Sequence, residues 1–121
     1  MNILLAIFIG GGLGSLARFT ISYFITSSFK NINPVATLIS NIVSTTILGV
    51  VIYLFNNKIE IPPNIKALIV IGFCGGFSTF STFSYESFEL IKSGNYLFAI
   101  LNILISVSVG IGVLVILAKN L

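Results

Sequence analysis

The chain has 121 residues, 56% of them apolar and 7% charged, with six Lys/Arg, three Glu, no Asp and no His. A water-soluble domain carries about a quarter charged residues, so a single domain of this make-up has lipid as its solvent. Without His there are no imidazole metal sites or Ser-His nucleophile pairs, the lone Cys74 excludes an internal disulfide, and a dispersed net charge of +3 excludes a nucleic-acid footprint.

Four apolar stretches follow in order, at about 3–26, 35–55, 66–91 and 96–118. Ser27-Ser28-Phe29-Lys30-Asn31 and Pro34 separate the first two. Asn56-Asn57-Lys58, Glu60 and Pro62-Pro63 part the second from the third, and Lys92-Ser93-Gly94-Asn95 precedes the last. Each stretch has about the 20 residues a helix needs to cross ~30 Å of hydrocarbon. The segments are too long and too unalternating for barrel strands, so the expected fold is an all-α membrane protein of four transmembrane helices. A cleaved signal peptide, processed at Ser15-Leu16-Ala17, is the rival reading of span one, but no Lys or Arg precedes the apolar run.

With four spans, both termini share a side with the loop between spans two and three. That side carries Lys58, Lys66 and Lys119; the other carries Arg18, Lys30 and Lys92. Lys/Arg asymmetry sets orientation, and here the two sides balance. The chain is therefore expected to insert both ways up and to meet a second copy as an antiparallel homodimer.

Polar residues inside the spans are the functional candidates. In span one, Arg18 follows the small residues Gly10, Gly14 and Ala17 and suits an aqueous vestibule. Span two crowds Thr37, Ser40, Asn41, Ser44, Thr45 and Thr46 into one half. The Asn41 amide offers two donors, to an ion or to a neighbouring helix. Span three changes character at Gly72: residues 72–84 hold three glycines, three serines and two threonines. Glycine costs ~1 kcal/mol per helical site relative to alanine, so the adjacent Gly75 and Gly76 mark the place where unwinding is expected. Unwound backbone near the midplane binds ions. Close packing through small residues accounts for the glycines but not for the hydroxyls beside them.

Phe77, Phe80 and Phe83 recur every third residue, as do Ser78, Ser81 and Ser84, giving two adjacent rows on one helix. Such a stripe either packs against lipid or core, or offers positive ring edges and O–H donors to an anion. Glu86 and Glu89 follow near the end of the span, as vestibule or interface acids. In span four, Asn102, Ser106 and Gly110 share a face, suiting a polar track or a tight contact.

Gly11-Gly12-Leu13-Gly14-Ser15-Leu16-Ala17-Arg18, then Thr37-Leu38-Ile39-Ser40-Asn41 with Gly49, then Gly72-Phe73-Cys74-Gly75-Gly76-Phe77-Ser78-Thr79-Phe80-Ser81-Thr82-Phe83-Ser84-Tyr85-Glu86 resemble the CrcB/Fluc fluoride channel family. Chain length, span count and motif order agree from end to end, and the third motif is highly specific. The resemblance implies one domain over 1–121, acting as a passive fluoride exporter in the cell (inner or plasma) membrane. It implies a dual-topology antiparallel homodimer with two pores, the third helix broken near its middle. Asn41 would hydrogen-bond the ion, and Phe80 and Phe83 would present ring edges to it. Ser81, Thr82 and Ser106 would supply hydroxyls along the path, with Arg18 and Glu86 by the vestibule. Backbone carbonyls of Gly75 and Ser78 would coordinate a structural sodium ion (Na+) on the dimer axis.

Two positions depart from the family pattern: Ser78, often Thr in relatives, and Asn102, frequently a tyrosine. The rival functions are a small four-helix multidrug/proton antiporter and a non-transporting membrane scaffold. The antiporter needs an embedded carboxylate, and span one has none. No nucleophile with a base and no phosphate loop points to an enzyme.

Overall fold

The computed structural model describes residues 1–28, 33–57 and 59–119. Asn2 opens the first helix, its Oδ1 accepting the Leu5 N–H at 3.0 Å and so satisfying a donor with no partner inside the helix. From there α1 (Ile3–Ser28) and α2 (Asn33–Asn57) run as unbroken helices, α2 with Pro34 in its first turn. Part of the turn predicted between them, with Lys30, and Lys58 in the next loop lie outside the described residues.

Pro63 starts α3 (residues 63–77), whose middle, Ala67–Cys74, winds as a wider π-helix that the sequence reading did not foresee. Two extended residues, Ser78 and Thr79, interrupt the span before α4 (Phe80–Lys92). Gly94, at φ +84°, then ends α4. Asn95 N–H reaches the Leu90 carbonyl at 2.8 Å and Gly94 N–H the Ile91 carbonyl at 3.0 Å, the paired bonds of a Schellman stop. The last helix, α5 (Tyr96–Ala118), completes four spans long and apolar enough to cross a membrane.

The third span is interrupted as expected, but not at Gly75 and Gly76. Both are helical, and the chain unwinds at the two residues after Phe77. The glycines serve close packing instead. A Cβ on Gly72 would lie 2.9 Å from the Gly10 Cα, and one on Gly76 would strike the Gly11 backbone. α1 thus lies against α3 almost backbone to backbone, the small-residue contact that lipid favours because it yields dispersion without a hydrophobic drive. The break also removes Phe77 from the expected aromatic row. It is buried on the α3 side, edge-on to Phe73 with centroids 5.5 Å apart.

α2 packs mainly along α5, and α4 bridges the two. Most of the buried apolar residues are small, Ala6, Ala36, Ala67, Cys74 and Ala99, while large side chains such as Phe8 and Phe19 point outward. That inversion suits a lipid solvent, where exposed apolar bulk costs nothing.

Candidate functional site

An interrupted helix at membrane depth must find partners for the backbone groups it frees. Here α2 supplies them. Asn41 Oδ1 accepts the Thr79 N–H at 2.8 Å, while its Nδ2 donates to the Thr79 carbonyl at 3.3 Å. Thr79 in turn caps α4, its Oγ1 accepting the Thr82 N–H at 3.2 Å. In a continuous helix the Thr79 N–H would go to the Gly75 carbonyl and the Thr82 N–H to the Ser78 carbonyl. Both donors are diverted, so the carbonyls of Gly75 and Ser78 stand outside the helical ladder. One turn earlier, the Cys74 carbonyl accepts from Ser78 Oγ and Ser44 Oγ, each at 2.8 Å, and from Ser78 N–H at 3.1 Å. α2 therefore holds both edges of the break.

Beside the break is a cavity of about 270 Å³, lined by Asn41, Thr45, Ser78, Thr79, Phe80, Phe83, Ser106 and Val107. Four of the pore candidates meet here: Asn41, Phe80, Phe83 and Ser106. The two phenylalanine rings sit 5.8 Å apart, tilted by 42°. In the single subunit Phe80 is 78% exposed. Ser106 Oγ lies 3.5 Å from Asn102 Oδ1, and Asn102 Nδ2 donates to Ser87 Oγ at 3.0 Å, so the polar face of α5 is tied to α4.

The other candidates lie elsewhere. Ser81 is exposed, its hydroxyl 3.3 Å from Thr79 Oγ1. Thr82 and Arg18 line a second cavity, of about 240 Å³, with Ser15, Phe19, Ser22, Ala36, Thr37 and Ser40. Arg18 Nε donates to the Gly76 carbonyl at 3.2 Å, joining α1 to the turn before the break. Glu86, expected near an aqueous end of the span, is 9% exposed and accepts a hydrogen bond from the Thr37 hydroxyl. It is a buried acid fastened to α2, while Glu89 is exposed.

Sequence reasoning passed over Thr79, which both receives the Asn41 clamp and caps α4. The available signal was a threonine immediately ahead of a helical run, the usual N-cap choice. The Thr37–Glu86 and Asn102–Ser87 pairs left no such signal, because each joins residues distant in the chain.

A chain of four spans with one helix interrupted at membrane depth, its break sewn to a neighbour, is a small multi-pass membrane protein. Residues 5–118 match the family described as CrcB-like protein, Camphor Resistance (CrcB), and the chain belongs to that family. It is 47% identical over 107 residues to fluoride-specific ion channel FluC 1 of Yersinia pseudotuberculosis, covering 88% of this chain and 84% of that one. It is 46% identical over 94 residues to fluoride-specific ion channel FluC of Gloeothece citriformis, covering 78% and 76%. With the fluoride-specific ion channel FluC of Salmonella newport it shares 43% over 106 residues, covering 88% and 83%. These relatives are named as channels, not enzymes.

Proposed function

We propose that this chain is a fluoride channel that lets the ion leave the cell down its gradient. The observation that carries the reading is the cavity at the helix break, where the Asn41 amide, the Phe80 and Phe83 rings and the Ser106 hydroxyl converge. Thr79 occupies one Asn41 N–H, which leaves the second for an ion. Fluoride is small and strongly hydrated, so its water must be exchanged for N–H and O–H donors and for the positive edges of aromatic rings. A path of such donors, with no fixed cation in the cavity, binds the ion without trapping it.

The reading includes an antiparallel homodimer in the cell membrane with two pores. It is supported by the balanced Lys/Arg count and by the exposure of Phe80 in the single subunit. A sodium ion on the dimer axis belongs to the same reading. Carbonyl oxygens are the ligand type a hard cation takes, and the carbonyls of Gly75 and Ser78 are among the four, residues 75–78, that the break releases from the helical ladder. Two copies would offer two of each. The ion would contribute positive charge that holds the two breaks together.

The test is efflux from fluoride-loaded liposomes containing the purified protein, read with a fluoride electrode. Fluoride should leave quickly with sodium present, more slowly when potassium replaces it, and chloride should be retained. Chloride leaving as fast as fluoride would reject the selectivity. Efflux that requires a proton gradient would favour the antiporter, for which the buried Glu86 is the available carboxylate.

A further inference from the structure

The second span ends at Asn56 and the third starts at Pro63, so the loop between them lies at the level of lipid headgroups. There the last turn of α2, the loop and the first turn of α3 enclose a cavity of about 360 Å³, lined by Phe55, Ile59, Glu60, Ile61 and Lys66. No pore or vestibule candidate lines it, and its volume is that of a small-ligand site. Lys66 Nζ stands over the Phe55 ring, 5.6 Å from the centroid, and the ring face steadies the ammonium. Glu60 and Lys66 are both exposed, and among the described residues no ion pair joins them. Ile59 and Ile61 flank Glu60, so the loop carries apolar side chains out of the span beside its acid.

The charges select the occupant. A free phosphate or an anionic headgroup would gain Lys66 and be repelled by Glu60, and a metal cation would meet the reverse. A ligand carrying both signs answers both groups. Carboxylate oxygens are acceptors only, so the positive group that suits Glu60 is one that donates N–H bonds, a primary ammonium rather than a quaternary one. At a membrane surface, phosphatidylethanolamine combines a phosphate, a primary ammonium two carbons away, and apolar chains to lie against Phe55, Ile59 and Ile61.

We propose that this cavity binds the headgroup of phosphatidylethanolamine, with the phosphate on the Lys66 ammonium and the lipid ammonium on the Glu60 carboxylate. One lipid is held per chain, and it joins the loop to the first turn of α3. The site stands apart from the proposed channel, since its residues belong to neither cavity described above.

Native mass spectrometry of the purified protein tests it, with phosphatidylethanolamine, phosphatidylcholine and phosphatidylglycerol of identical acyl chains offered in competition. Wild-type protein should retain one phosphatidylethanolamine per chain, about tenfold over either rival, the weight of one hydrogen bond between charged groups. Glu60→Gln keeps the side-chain size and should bring the ethanolamine-to-choline ratio close to one. Glu89→Gln makes the same charge change at an exposed acid outside the cavity and should leave that ratio as in wild type. Lys66→Gln should weaken retention of both lipids, since both carry the phosphate. Choline lipid held as well as ethanolamine lipid would reduce the site to apolar contact. A preference for the glycerol lipid would make it a site for anionic headgroups, and an ethanolamine preference that survives Glu60→Gln would put the lipid elsewhere. Any of these three results overturns the proposal, and none depends on whether the protein passes fluoride.

Discussion

Asn41 has a structural duty at the break and, in the proposed channel, a second one toward the ion. Its amide closes the Thr79 peptide from both sides and keeps one N–H for the cavity. Asn41→Ala strands the Thr79 N–H and weakens the pairing of its carbonyl, at ~1–3 kcal/mol for each buried group left unpaired. The expected result is a lower melting temperature in detergent together with loss of fluoride efflux. Asn41→Asp keeps an acceptor for the N–H, so melting should fall less, yet a carboxylate in an anion's cavity should still abolish efflux. The pair separates support of the break from conduction. Phe80→Leu retains apolar bulk and deletes the ring edge. An aromatic quadrupole contact is worth ~0.5–1.5 kcal/mol, which predicts efflux slowed about two- to tenfold. Asn41 and the phenylalanines stood out in the sequence because an amide and a regular aromatic row are conspicuous in an apolar span. The role of Thr79 was hidden, since it depends on which backbone groups the break leaves free.

At the scale of elements, the sequence located the interrupted span correctly and the point of interruption wrongly. Glycine lowers helix propensity, and that argument alone placed the unwinding at Gly75 and Gly76. Packing overrides it here: α1 presses on Gly72 and Gly76, and the compact contact keeps them helical, while the hydroxyls and Asn41 dismantle the helix just beyond. The π-helical stretch Ala67–Cys74 was not legible, because nothing in a run of apolar residues distinguishes that winding from an α-helix. The glycine contact gives a direct test. Gly72→Val puts a side chain where the Gly10 backbone already is, and should lower the melting temperature sharply and broaden the elution profile. Gly112→Ala, where an added Cβ meets nothing within 4 Å, should leave both unchanged.

For the whole molecule, four spans were readable from apolar run length, since hydrocarbon thickness fixes it. In the proposed dual-topology dimer, orientation would rest on the balance of Lys58, Lys66 and Lys119 against Arg18, Lys30 and Lys92. Adding charge to one side should therefore break the function without touching a pore residue. Asn56→Lys with Glu60→Lys should drive all copies one way up, and Ser93→Lys with Tyr96→Lys should drive them the other way. Each double variant alone should give little efflux in cells, and the two expressed together should restore it. Full efflux from either one alone would speak against antiparallel pairing.

The way α2 clasps the Ser78–Thr79 turn has a bearing on tempo. Its donors are pinned before any ion arrives, by bonds that would have to be broken for the turn to swing. In the proposed channel, a conduit framed like this would work without a shutter. Throughput would follow concentration and voltage alone, and discrimination between halides would have to be built into its fixed dimensions rather than exercised by a moving part.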